Sequence, residues 1–199
     1  LGCGTALPSL YEFQCHLRSI PGTTETLAIG LSDYNPAVVQ LVTLPNFILS
    51  WVFVTKSLTD VVEGQLDVDD ELIEEFRKSM NSFKITLSFF SGSWGHDFVQ
   101  LVKQEMSLDA SHFRILGAET IYSNYALGVF SETLNGLLRS SNDSCKTAIV
   151  AAKNIYFGVG GSIEEFSKIM ESYGFKSKVL YQVPDGIRRI VLEVSELRS

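Results

Sequence analysis

The first residues in this chain whose types could do chemistry are Gly2-Cys3-Gly4, a Gly-x-Gly turn at the head of a helical pattern. Without a Cβ, glycines let the backbone turn sharply and approach a ligand closely. A tight strand-to-helix turn has the same composition, so the pair alone decides nothing. A second feature gives it weight. Leu27-Ala28-Ile29-Gly30-Leu31-Ser32-Asp33 reads as a buried strand ending in a carboxylate. An acid at the end of the second strand of a strand–loop–helix unit holds the ribose hydroxyls of an adenosine cofactor. Further on, Ser91-Gly92-Ser93-Trp94-Gly95 sets an indole between glycines. Its flat face and N–H suit an adenine; a core aromatic under a loop is the alternative. Glu119 and Tyr122 then follow the strand pattern Phe113–Ala118, an acid and a phenol at a strand end.

The elements that must position these residues alternate. Leu10, Phe13 and Leu17 fall at helical spacing over Thr5–Arg18. Pro21-Gly22 marks a loop before the strand from Leu27. Asn35 can cap a helix whose first position is Pro36, and Pro45 predicts a kink or break before it resumes to Val54. Asp60–Glu75 is strongly acidic and reads as a solvated linker and helix face running to about Met80. Strand Lys84–Phe90, helix His96–Met106, strand Phe113–Ala118, helix Ala126–Leu138 and strand Thr147–Asn154 follow. Ser140–Ser144 is a polar loop. Ser162 with Glu165 forms a capping box for a helix ending near Gly174. Phe175–Val183 and Ile187–Leu197 are strands joined by a Pro184-Asp185-Gly186 turn. The class is α/β, a mostly parallel sheet with one antiparallel strand at its end.

In such a sheet ligands sit at the carboxyl ends of the strands, and those ends carry Gly2–Gly4, Asp33, Ser93-Trp94 and Glu119. A pyridine dinucleotide favours a third glycine, which allows tight helix packing beside a pyrophosphate; Leu7 stands in its place. S-adenosylmethionine has no pyrophosphate, so this departure points to that cofactor. The turn opens the chain without the apolar strand that should lead into it, so the chain is expected to be a fragment with its first strand truncated. Gly158-Val159-Gly160-Gly161 could cradle an anion, or form a flexible turn beside a substrate pocket. Cys3 reads as a small packing residue. His16, His96 and His112 are isolated, and no metal site is expected.

The order of these elements resembles the seven-β-strand methyltransferases. Leu1-Gly2-Cys3-Gly4-Thr5, Ser32-Asp33-Tyr34-Asn35, Thr43-Leu44-Pro45-Asn46, Ser91-Gly92-Ser93-Trp94-Gly95, Glu119-Thr120-Ile121-Tyr122 and Lys153-Asn154-Ile155-Tyr156-Phe157-Gly158-Val159-Gly160-Gly161 carry the likeness. More narrowly, the chain resembles the protein-histidine methyltransferases of fungi and animals, whose known target lies in a large-subunit ribosomal protein. The resemblance implies a Rossmann-like class I sheet of order 3-2-1-4-5-7-6 in a single domain over 1–199. It implies S-adenosylmethionine held at the Gly2–Gly4 backbone, by Asp33 at the ribose and by Trp94 near the adenine; Cys3, Asn35, Ser93 and Ala118 complete the expected cofactor contacts. From their place at the strand end, Glu119 or Tyr122 is expected to bond the second nitrogen of an acceptor imidazole or to wall its ring; the alternative is that Glu119 pairs locally or touches the cofactor and Tyr122 is a packing residue. Ser93 stands where relatives often carry an acid. The setting implied is cytoplasmic and nuclear, and the protein a monomer.

The composition narrows the partners. A net charge of −7 argues against unaided nucleic-acid binding and is compatible with a basic protein partner such as a ribosomal protein. Cys3, Cys15 and Cys145 are odd in number and lack metal-type spacing, so a reduced intracellular setting is expected. No apolar run reads as reaching membrane-span length. The competing readings are a lysine-directed methyltransferase, a nucleotide-linked oxidoreductase, and an interaction module without catalysis.

Overall fold

In the computed structural model, the described residues are 1–19, 25–58, 63–106, 112–140, 145–156, 158, 160–183 and 189–197. They form two compact units, Cys3–Ser91 on one hand and Leu1–Gly2 with Gly92–Ser199 on the other.

The Cys3–Ser91 unit contains α1 (Leu7–Leu17), β1 (Leu27–Asp33), α2 (Pro36–Val38), a π-helical stretch (Val39–Thr43), α3 (Leu44–Thr55), α4 (Asp70–Ser82) and β2 (Ile85–Ser91). β1 and β2 pair in parallel from Leu27↔Ile85 to Asp33↔Ser91, which brings both carboxyl ends to one edge. The helices bury a shared aromatic core. Phe13 of α1 meets Phe47 of α3 edge-on at 4.9 Å, and Trp51 meets Phe76 of α4 at 5.4 Å. Edge-to-face pairs of this kind stabilise beyond what the area they bury contributes. The acidic helix α4 is capped by Asp69, which accepts from the Leu72 N–H at 2.8 Å. It buries only Phe76 and Met80, so its charges form a solvated face.

Pro45 does not break the helix. Asn35 caps it, Pro36 opens it, and the helical path continues to Thr55. Proline removes an i→i−4 bond and clashes with the carbonyl one turn back. The wider i→i+5 turn over Val39–Thr43, just upstream, absorbs that defect. The continuous run Pro36–Thr55 spans 20 residues with a mean hydropathy of 1.8, enough by length and composition to cross a membrane. This corrects the expectation that no apolar run reaches that length. Phe47, Ile48, Trp51 and Val52 on this run belong to the core of the unit, as in any buried core helix.

The other unit contains α5 (His96–Glu105), β3 (His112–Ala118), α6 (Asn124–Leu138), β4 (Cys145–Lys153), α7 (Ile163–Ser172), β5 (Phe175–Gln182) and β6 (Arg189–Glu196). Its sheet has the order β3-β4-β6-β5. β3 and β4 are parallel from His112↔Cys145 to Ala118↔Ala151, and β6 runs antiparallel between β4 and β5. Phe130, Leu134, Phe166, Met170, Val150 and Val194 are fully enclosed. The Ser162 hydroxyl accepts from the Glu165 N–H at 3.1 Å, the N-cap half of the expected capping box. Six strands stand in two sheets among the described residues. The Pro184-Asp185-Gly186 turn and the core of the Ser140–Ser144 loop lie outside the described residues, as do Pro21-Gly22, Phe157 and Val159.

Candidate functional site

In the Cys3–Ser91 unit, the glycine turn is fastened to the end of β1. The Gly4 N–H donates to Asp33 Oδ2 at 3.1 Å, and the Asn35 N–H donates to Asp33 Oδ1 at 3.2 Å. Gly4 sits at φ 50, in the left-handed region that favours glycine. Asp33 thus organises two backbone segments. Each of its oxygens accepts one bond and retains a second lone pair. Asn35 is committed as the helix cap, its Oδ1 accepting from the Ala37 N–H at 3.0 Å.

The Thr43-Leu44-Pro45-Asn46 run closes the same turn from the other side. Thr43 Oγ1 donates to the Gly4 carbonyl at 2.7 Å, and Asn46 Nδ2 to the Thr5 carbonyl at 3.1 Å. Residues three apart share a helix face, so one helix supplies both donors. Cys3 is half-buried, its Sγ 3.5 Å from Thr43 Oγ1 and its N–H bonded to the Ser32 carbonyl at 2.8 Å. Periodicity gives no sign of the Thr43 and Asn46 bonds, which link residues 39 and 41 apart.

In the other unit, Gly2 packs against Trp94 and Thr120. A Cβ on Gly2 would stand 3.4 Å from Thr120 Cγ2 and 3.5 Å from the Trp94 ring. Trp94 is half-buried and its ring lies 5.7 Å from that of Phe130. Thr120 Oγ1 is buried without a hydrogen-bond partner. Ser93 and Ala118 are exposed at the ends of their segments.

Glu119 stands at the end of β3 with φ 56, an uncommon conformation for a residue with a side chain. Its N–H is held by the Ala151 carbonyl at 2.8 Å. Its side chain joins two residues that sequence reasoning gave no role. The Tyr156 hydroxyl donates to Glu119 Oε2 at 2.8 Å, and Arg189 Nε lies 3.4 Å from Oε1. The ion pair is about half exposed on both sides, so it adds little to stability. Tyr122 is 53% exposed and stands outside this cluster of bonds. Tyr156 lies inside the Tyr-Phe-Gly run quoted above, the one signal that pointed near it. Arg189 had none.

Tyr156 is buried, and the Lys153 N–H donates to its hydroxyl at 3.2 Å. Burial pushes its phenol up to about 12; the Lys153 N–H opposes this and the Glu119 carboxylate adds to it. The folded-state value lies above the ordinary 10. The stability this phenol contributes is therefore fully present below pH 10 and lost as pH rises through about 12. A phenolate absorbance titration is expected to contain a step near pH 12 that Tyr156→Phe removes. Superimposable titrations of the two proteins would refute the assignment.

Gly160-Gly161 packs on the segment that follows Glu119. A Cβ on Gly160 would come 2.4 Å from Asn124 Oδ1, and one on Gly161 2.2 Å from the Ile121 carbonyl oxygen. The Tyr156 N–H donates to the Gly161 carbonyl at 3.2 Å, so one short stretch holds both the tyrosine and the Glu119 segment.

No family model matches the chain. Among solved structures it is similar to magnesium protoporphyrin IX methyltransferase of Synechocystis with bound SAH. That match has 11% identity and a TM-score of 0.40, covering 98% of this chain and 84% of that one; a likeness so slight carries no argument. Among curated proteins it is similar to histidine protein methyltransferase 1 of Saccharomyces cerevisiae, at 34% identity over 184 residues, 86% of this chain and 48% of that protein. The protein of the same name in Schizosaccharomyces pombe is 36% identical over 173 residues, with the same shares. The chain spans about half the length of the curated relatives it matches.

Proposed function

We propose that the protein transfers a methyl group from S-adenosylmethionine to a histidine side chain of another protein. The observation that carries the reading is Glu119, a carboxylate fixed at a strand end with one oxygen free of any short bond. The likeness to two histidine protein methyltransferases over 86% of the chain supports it. A neutral imidazole already has a lone pair, so what it needs is the right tautomer, fixed by a bond to its other nitrogen. A carboxylate accepts that N–H and stabilises the positive charge that develops on the ring.

Each unit carries residues whose chemistry fits a part of the cofactor. Asp33 keeps a lone pair on each oxygen for two ribose hydroxyls. Gly4 turns without a Cβ, and nothing lies within 4 Å of where one would point. The half-buried Trp94 beside Gly2 suits an adenine edge. When bound, S-adenosylmethionine supplies a methyl on a sulfonium for direct displacement, so the chain's own contribution is alignment. Gly2, Cys3, Gly4, Asp33, Asn35, Ser93, Trp94 and Ala118 are the residues assigned to it.

The proposal extends to one domain over 1–199 with the strand order 3-2-1-4-5-7-6. The parallel β1–β2 and β3–β4 pairs and the antiparallel β6 support it. The acceptor is a basic ribosomal protein met by a monomer in cytoplasm and nucleus, with no membrane or direct nucleic-acid contact. The charge of −7 supports the basic acceptor, because opposite charge speeds encounter.

Calorimetry with S-adenosylhomocysteine and, separately, NADH tests the cofactor in the full-length protein. Methyl transfer to a basic histidine peptide, beside its His→Ala and Lys-only counterparts, tests the acceptor. Binding of S-adenosylhomocysteine alone and labelling of the histidine peptide alone are expected. Binding of NADH, or labelling of the Lys-only peptide, would replace the reading with one of its competitors.

A further inference from the structure

The Glu119 main chain is fixed, but its side chain is not fixed by the strand. A long carboxylate side chain, 43% exposed, has several rotamers open to it. What selects one is the hydroxyl of Tyr156, 2.8 Å from Oε2. Tyr156 cannot follow the carboxylate if it swings away. The ring is 8% exposed, the hydroxyl also accepts the Lys153 N–H, and the Tyr156 N–H is held by the Gly161 carbonyl. The other oxygen, Oε1, has only Arg189 near it, at 3.4 Å, beyond the usual span of a hydrogen bond. Arg189 therefore reaches Oε1 with one long contact and leaves a lone pair of that oxygen open.

We propose that Tyr156 is a positioning residue: it pins one oxygen of Glu119 so that the other faces the ring N–H of the acceptor imidazole. This rests on the histidine-methylation reading given above. In the step, one ring nitrogen forms the new N–C bond as the C–S bond breaks, and the electron pair stays on sulfur. The proton on the other ring nitrogen passes to Glu119 Oε1 and from there to water. Tyr156 keeps its proton throughout, since its phenol ionises only near pH 12. It is a fixed donor and not the base.

The test is a double-mutant cycle in the full-length protein, with kcat and peptide KM measured for Tyr156→Phe, Glu119→Gln and the pair. Tyr156→Phe is expected to lower kcat about 10-fold, with KM and S-adenosylhomocysteine affinity little changed. The double variant is expected to be no slower than Glu119→Gln, because a residue acting through another loses its effect when that other is gone. A purely structural tyrosine gives no such coupling. Losses that multiply in the double variant, or an unchanged kcat in Tyr156→Phe, overturn the proposal. Glu119→Asp supplies a second handle that leaves Tyr156 intact. It keeps the charge but draws the carboxylate back from the phenol, so kcat should again fall; full activity there also overturns the proposal. If the wild-type protein labels no histidine peptide, the functional reading fails and takes this inference with it, an outcome distinct from loss of coupling alone.

Discussion

Gly161→Ala is expected to destabilise the protein by about 3 kcal/mol or more. Two costs add at this position. The backbone stands at φ 98, where an L side chain is strained. The new Cβ would also fall 2.2 Å from the Ile121 carbonyl oxygen, and main chain yields less readily than a side-chain tip. Relief requires the Gly161 segment to separate from Ile121, a fully buried residue between Glu119 and the Ser123 cap of α6. Gly158→Ala is the internal control. It shares a positive φ, 81, but opens onto free space, so only the backbone strain remains, about 1 kcal/mol. Urea unfolding of both variants measures the difference. Equal losses would mean that the contact with Ile121 is not what the glycine serves.

Glu119→Gln is expected to lower the methyl-transfer rate constant by about 100-fold or more, within the range for a group that takes a proton in the transition state. The amide is isosteric and its carbonyl still accepts from the Tyr156 phenol, so the fold should hold. What disappears is the negative charge facing the imidazole as it becomes cationic, and the site that receives its proton. Single-turnover kinetics with a histidine peptide read the effect, and unchanged S-adenosylhomocysteine affinity separates it from loss of cofactor binding. A variant as fast as wild type would remove Glu119 from the chemistry, leaving its bond to Tyr156 a structural one.

Much of the local structure was legible because its causes are local. Apolar spacing over Leu10, Phe13 and Leu17 marks α1, and all three are buried. Asn35 before Pro36, and Ser162 before Glu165, mark helix starts through bonds two or three residues long. The glycine turn and Asp33 were each visible, and the Gly4–Asp33 bond is the contact that their types invite. Pro45 misled because a proline announces a lost bond and not how the chain accommodates it. The π turn at Val39–Thr43 lies just before that proline, in a helix whose Phe47, Ile48, Trp51 and Val52 belong to the core.

By itself, the sequence determined the alternation of strands and helices, their caps, and the placing of acids at the ends of β1 and β3. The tertiary structure alone decided what those acids touch. Tyr156 reaches Glu119 across 37 residues and Arg189 reaches it across 70. Gly161 meets the Ile121 carbonyl across a similar gap in the chain. Contacts of that span leave no periodicity in the sequence, because they are set by strand register and by the fit of one backbone against another.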